Sequence, residues 1–129
     1  MTGLKDIQKV YFIGIGGIGM SALARYFISL GKKVSGYDRT KTHLTAELEA
    51  GGINIHYEEN VELAPKDIDV VVYTPAIPAD HKELVYYREN HYKVVKRSDV
   101  LQEKLRTNIA KYAVTNADEV IAREILASL

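Results

Sequence analysis

The 129-residue sequence contains no cysteine. Disulfides, thiolate metal sites and a cysteine nucleophile are therefore excluded, which suits a reducing compartment. An excess of charge is missing too: Lys plus Arg total 17, Asp plus Glu total 17, and no block of five like charges occurs. Such a balance supplies no field for a polyanion, so nucleic acid is not an expected partner. No stretch approaches the roughly eighteen apolar residues that a membrane span needs. The opening Met1-Thr2-Gly3-Leu4-Lys5-Asp6 lacks the apolar centre of a signal peptide. A cytoplasmic protein without membrane contact is expected. Repeats, low-complexity segments and long linkers are likewise absent, so residues 1–129 read as a single domain. Hydrophobic residues at 47% and charged residues at 26% fall in the range of soluble globular chains. A chain of this length buries about two-thirds of its unfolded surface, enough for one core.

Val10-Tyr11-Phe12-Ile13 is a short apolar run stopped by Gly14, the pattern of a strand covered on both faces. Ile18, Leu23, Phe27 and Leu30 then recur at helical spacing, and Gly31 supplies a stop. Lys33 to Tyr37 reads as a second strand, Thr42 to Ala50 as a helix broken by Gly51-Gly52, and Ile53 to His56 as a short strand. Val70 to Tyr73 is a buried strand, Lys82 to Asn90 a helix and Val94-Val95 another strand. This alternation predicts an α/β fold, a Rossmann-like doubly wound parallel sheet in one three-layer domain. Further on, Ser98 is a candidate cap for a helix from Asp99 to about Arg106, and Ile109 to Val114 a last strand. Asn116 and Glu119 form a candidate capping box ahead of a helix from Val120 to Leu129.

The chemistry concentrates where the first strand meets the first helix, at Gly14-Ile15-Gly16-Gly17-Ile18-Gly19. The G-x-G-x-x-G pattern follows a strand and opens a helix, with Asp38 at the end of the next strand, as a dinucleotide fingerprint requires. Gly14 permits the tight turn, Gly16 lets the backbone approach a pyrophosphate, and Gly19 lets helix and strand pack closely. Amides from Ile15 to Ile18 are expected to face the anion, with Met20 and Ser21 in the first helical turn. The Ser21 hydroxyl either joins them or satisfies a backbone carbonyl. Asp38 is the expected ribose or base contact, its alternative being a strand-end turn residue. These residues alone fit NAD as well as a UDP-sugar.

Thr74-Pro75-Ala76-Ile77-Pro78 lies past the carboxyl end of a central strand, where open α/β sheets bind ligands, and two prolines stiffen it. Arg97, also at a strand end, is placed to pair with phosphate or to lie solvated at the surface. His43, His56, His81 and His91 show no metal-ligand spacing and read as surface residues. Glu58-Glu59 reads as solvated loop charge, and Tyr86, Tyr87 and Tyr92 as packing against the sheet. No nucleophile, base and acid come together in the sequence, so no catalytic residue is expected.

Phe12 to Ala24, Val34-Ser35-Gly36-Tyr37-Asp38 and Val70 to Pro78 together resemble the N-terminal domain of the Mur ligases of peptidoglycan synthesis, in particular the alanine-adding branch. Lys96-Arg97-Ser98-Asp99-Val100-Leu101 falls where that family places a basic pair ahead of a helix, and the resemblance runs from about residue 9 to 114. It implies that Gly14 to Ser21, Asp38, Thr74 to Ile77 and Arg97 hold the UDP part of UDP-N-acetylmuramic acid. It also implies that ATP and magnesium belong to a further domain of the parent ligase, where the muramyl carboxylate is activated as an acyl phosphate for attack by the L-alanine amine. After a strand like Lys111-Tyr112-Ala113-Val114 the family continues with Gly-Thr-His-Gly-Lys-Thr. This chain instead reads Thr115-Asn116-Ala117-Asp118-Glu119, and it contains no Gly-Lys-Thr. Binding without catalysis is therefore expected of residues 1–129, with 115–129 a helix in place of the ATP-binding segment. An NAD(H)-binding module, the related tripeptide-recycling ligase and a non-binding interaction domain are the alternatives.

Overall fold

The computed structural model describes residues 6–100. Strands β1 (Lys9–Ile13), β2 (Lys33–Tyr37), β3 (Asn54–His56), β4 (Val70–Tyr73) and β5 (Val94–Lys96) form one sheet in the order β3-β2-β1-β4-β5. Every neighbouring pair is parallel. Helices α1 (Ile18–Ser29), α2 (His43–Ala50), α3 (Lys82–Glu89) and α4 (Arg97–Val100) connect or follow them. The expected strand at Ile109 to Val114, the box at Asn116 and Glu119, the helix from Val120 and the continuation of a helix to Arg106 lie outside the described residues.

Side chains alternate across β1, and the two faces build two cores. Val10 and Phe12 pack with Leu23 and Phe27 of α1 and Leu48 of α2. Tyr11 and Ile13 pack on the other face with Leu84 and Tyr87 of α3. Full burial of a side chain such as Phe12, Leu23 or Phe27 contributes roughly 1.5–3 kcal/mol each, so the doubly covered central strand anchors the domain. This is the three-layer, doubly wound sheet that the alternation of elements predicts. Tyr86, Tyr87 and Tyr92 do pack, with Tyr87 edge-on to Tyr92 at 4.9 Å between ring centroids.

Helix ends follow local chemistry. At the close of α1, Gly31 takes a φ of +81° and the Lys32 amide reaches back to the Phe27 carbonyl at 3.1 Å. Thr42 caps α2 in a reciprocal box: its hydroxyl accepts the Thr45 amide, and Thr45 Oγ1 accepts the Thr42 amide at 2.8 Å. Two expectations change. Helix α4 starts at Arg97, immediately after β5, so Ser98 lies within its first turn and does not cap it. Ile18 is 75% exposed and contributes nothing to the core, because it is the first residue of α1 and turns away from the sheet.

Candidate functional site

The chain runs from β1 outward to β2 and β3, then crosses to β4 and β5 on the other side of β1. Connections on the two sides of β1 therefore part company above its carboxyl end, which leaves a crevice where open sheets bind ligands. A cavity of about 400 Å³ occupies that crevice. Its wall takes Gly14, Gly17 and Met20 from the glycine loop and α1, Tyr37 to Thr40 from the end of β2, Glu59 from beyond β3, Thr74 and Ala76 to Pro78 from beyond β4, and His81 from the start of α3. The volume falls within the range of small-molecule pockets.

The loop is held by its own amides before any ligand is considered. Gly14 and Ile15 donate to the Tyr37 carbonyl at 2.8 and 3.0 Å, and Gly16 donates to Asp38 Oδ2 at 2.7 Å. The other Asp38 oxygen accepts the Thr40 amide at 3.0 Å. Asp38 thus braces the loop against the end of β2. Of the amides expected to face an anion, those of Ile15, Gly16 and Gly17 are engaged within the protein and only that of Ile18 is open, together with the next two along α1. Helix α1 has Gly17 as its N-cap with no side-chain cap, and its first internal bond is from Ser21 to the Gly17 carbonyl. The N–H groups of Ile18, Gly19 and Met20 consequently have no acceptor within the helix. Ser21, itself buried, gives its hydroxyl to the Ile18 carbonyl at 3.0 Å.

Bare backbone matters at two loop positions. Gly14 has a φ of +94°, and a Cβ there would stand 3.3 Å from Ile77 Cδ1, so the loop after β4 rests directly on it. At Gly16 a Cβ would meet Asp38 Oδ2 and Thr45 Cγ2, both at 2.8 Å. The Thr74–Ile77 segment is a tight turn closed by the Ile77 amide on the Thr74 carbonyl at 3.1 Å, with Pro75 at the position that proline favours. Arg97 lies at the same sheet edge, beyond β5, and is not part of the cavity wall. The side chain of Ile15 is buried in the core, and Pro75 lies outside the wall.

Sequence reasoning missed a polar cluster behind this cavity. His56 and His81 are not surface residues, and Glu59 is not free loop charge. Glu83, fully buried, accepts from the Tyr11 hydroxyl, from His56 Nε2 at 2.8 Å and from the Asn60 amide at 3.0 Å. Burial opposes ionisation of the Glu83 carboxyl, but the hydrogen bonds from His56, Tyr11 and Asn60 outweigh it and hold its pKa below the ordinary glutamate value. Burial first, then the Glu83 charge, push the Tyr11 phenol well above its ordinary value. His81 is 5% exposed, packs edge-on to Tyr37 with centroids 4.9 Å apart, and accepts the Glu83 amide on Nδ1 at 3.2 Å. Its position just before Lys82, at the mouth of α3, was the available signal, since loops and helix starts at this edge face the cavity. Arg39 and Thr40 carried the same signal by following β2. Among the described residues no group of three His, Cys, Asp or Glu is placed to hold a metal ion, and no helix is long and apolar enough to cross a membrane.

Open helix amides, a guanidinium and threonine hydroxyls around a cleft suit recognition of a phosphorylated ligand. A family model described as the Mur ligase family, catalytic domain, matches residues 9–108. UDP-N-acetylmuramate–L-alanine ligase from Flavobacterium johnsoniae is 56% identical over 102 residues, covering 76% of this chain and 23% of the relative. The protein of that name from Phocaeicola vulgatus is 58% identical over 103 residues, 76% of this chain and 22% of the relative. The crystal structure of UDP-N-acetylmuramate-alanine ligase from Thermotoga maritima superposes with a TM-score of 0.72 at 35% identity, covering 77% of this chain and 23% of that one. A murein peptide ligase from Psychrobacter arcticus shares the fold, with a TM-score of 0.68 at 23% identity over 74% of this chain and 20% of its own. The chain spans less than a quarter of the length of each of these four proteins.

Proposed function

Because the chain belongs to the Mur ligase family, we propose that its carboxyl-edge cavity holds the UDP moiety of UDP-N-acetylmuramic acid, within a cytoplasmic ligase that joins L-alanine to that sugar nucleotide with ATP hydrolysis. The observation that carries this reading is the uncapped start of α1 beside the cavity, whose amides at Ile18, Gly19 and Met20 lack acceptors in the helix. A diphosphate supplies those acceptors, and the positive end of the helix dipole favours its charge. Arg39 brings a guanidinium to the same wall. Gly14 leaves room for Ile77 and Gly16 for Asp38 and Thr45, Asp38 fixes the loop, and Thr74, Ala76 and Ile77 close the opposite side. Arg97 stands outside the wall.

ATP does not fit the residues at hand. The described part contains one glycine loop, with no lysine in it, and where the family carries Gly-Lys-Thr this sequence has Asp118 and Glu119. Acidic side chains repel phosphate, so ATP, magnesium and the chemistry of amide formation belong to the remaining domains of the parent. The partners of this domain are then the sugar nucleotide and those domains.

Calorimetric titration with UDP-N-acetylmuramate, UDP and NADH tests the assignment. Binding of both uridine ligands is expected, and absence of heat with either of them would sink it. Tight NADH binding with no response to UDP assigns the loop to a dinucleotide module instead.

A further inference from the structure

We infer that Glu83 is a positioning residue for the carboxyl-edge cavity: it touches no ligand, and by clasping the two banks of the crevice it sets how tightly the cavity binds one. The inference rests on the uridine-diphosphate reading of that cavity. One bank is the chain from His56 to Asn60, at and beyond the end of β3. The other is the start of α3, His81 to Glu83, reached from β4. Strands β3 and β4 lie on opposite sides of β1, so the hydrogen bonds of the sheet do not join the banks directly. Each bank supplies a wall residue, Glu59 on one side and His81 on the other, and Glu83 is fully buried outside the wall.

A reciprocal pair of contacts joins the banks instead. Glu83 Oε2 accepts the Asn60 amide at 3.0 Å, and Glu59 Oε2 accepts the Lys82 amide at 2.7 Å, so the carboxylate of each bank holds the backbone of the other. Glu83 carries more of the join. Its Oε1 takes the Tyr11 hydroxyl, which ties it to the central strand, its Oε2 also takes His56 Nε2 at 2.8 Å, and its own amide donates to His81 Nδ1 at 3.2 Å. Asn60 extends the hold along the loop by accepting the Glu62 amide on Oδ1 at 2.9 Å. One residue thus fixes both the neighbour of Glu59 and the ring of His81. Stability is not a sufficient reason for a charge at this position, since well-packed apolar sets often replace buried ionic ones at no cost. What the carboxylate adds is geometry: a ligand that meets a wall already ordered does not bear the cost of ordering Glu59 and His81 itself.

Glu83→Gln tests the inference, because it keeps the size of the side chain and one acceptor while removing the charge and the second acceptor. Titration of the folded 129-residue variant with UDP is expected to show an affinity roughly fivefold or more below that of the native chain, the scale set by ordering one or two side chains. Phe27→Leu, which loosens the core on the α1 face, controls for lost stability and is expected to bind UDP as the native chain does. Amide hydrogen exchange in the unliganded chain supplies a readout that does not depend on UDP. The Lys82 amide is bonded to Glu59 and not to Glu83, yet its exchange is expected to quicken in Glu83→Gln together with that of Asn60, while Gly16, braced by Asp38, keeps its rate. Unchanged UDP affinity in Glu83→Gln, an equal loss in Phe27→Leu, or unchanged exchange at Lys82 overturns the inference and leaves the uridine-diphosphate reading intact. Failure of the native chain to bind UDP removes both.

Discussion

Replacing Gly16 by alanine puts a methyl carbon 2.8 Å from Asp38 Oδ2 and 2.8 Å from Thr45 Cγ2. Neither neighbour retreats easily. Asp38 is tied to the amides of Gly16 and Thr40, and Thr45 is buried and half of the box that caps α2. Either the loop shifts, at the roughly 1–3 kcal/mol typical of overpacking, or the carboxylate leaves and a charge-assisted bond of about 1.5–3 kcal/mol is lost. These are alternatives rather than additive costs, so about 2 kcal/mol is expected, a fall in Tm of roughly 8–16 °C for a domain of this size. Gly17 is the internal control. Its φ of −67° and ψ of 155° suit alanine, and a Cβ there meets only the Gly14 carbonyl oxygen at 3.9 Å. Gly17→Ala should be neutral in stability or gain about 0.4–1 kcal/mol through a less flexible unfolded chain. Thermal unfolding of both variants by circular dichroism decides the matter. If they melt within about 2 °C of each other, well inside the difference these costs imply, the reasoning is refuted.

Further outcomes follow from the packing behind the site. Glu83→Leu strips Tyr11, His56 and Asn60 of their common acceptor and should cost about 3–5 kcal/mol in urea unfolding, as for other broken buried pairs; Glu83→Gln, which keeps the shape, should cost less. The Glu83 pKa is depressed in the folded state, so its contribution is complete above the ordinary glutamate value of 4.5 and is lost as pH falls through the folded value. Stability curves of the native chain and Glu83→Gln should therefore converge in acid. Tyr11 and Tyr87 titrate far above 10 when folded, chiefly through burial. Above about pH 10 only the unfolded chain loses those protons, so stability should fall with rising pH, with a shallower slope in Tyr11→Phe. Gly36→Ala sets a methyl 2.7 Å from Ile15 Cδ1 and 2.9 Å from Ile15 Cβ. It should destabilise by roughly 1–3 kcal/mol, and a thermal melt of the double variant with Ile15→Val should show no full rescue, because the Cβ remains.

Strands with one strong local signature could be read at sight. Val70 to Tyr73 is a run of three buried valines closed by a half-buried tyrosine, and its limits in the structure are those its sequence suggests. Lys33 to Tyr37 lies between a helix-stopping glycine and Asp38, and it too begins and ends as read. Harder cases share a cause. Ile53 stays bonded to the end of α2 through Leu48, so β3 starts one residue later than its apolar content implies. The direct passage of β5 into α4 leaves no loop for Ser98 to close. In the site, the glycine loop was legible because its residues are consecutive and its φ requirements are local. Glu83 was not, since its partners are Tyr11, His56 and Asn60, drawn from three separate segments. The number of its donors is set by tertiary packing, and no spacing along the chain encodes it. The roles of Asp38 and Glu59 were obscured in the same way, because a carboxylate that braces a backbone amide and one that faces solvent look alike in sequence.

The central place of β1 also sets an order of events during synthesis. Val10 pairs with Val34 on one side and with Val70 on the other, and the second partner leaves the ribosome long after the first. Until β4 emerges, the glycine loop has one flank and no Thr74 turn above Gly14. Chain already made then carries an exposed strand edge that other nascent chains can pair with. Completion of that edge and completion of the cavity at the carboxyl edge of the sheet are the same step. A fragment ending before Val70 should therefore both aggregate and lack the cavity wall formed by Thr74 and Ala76 to Pro78.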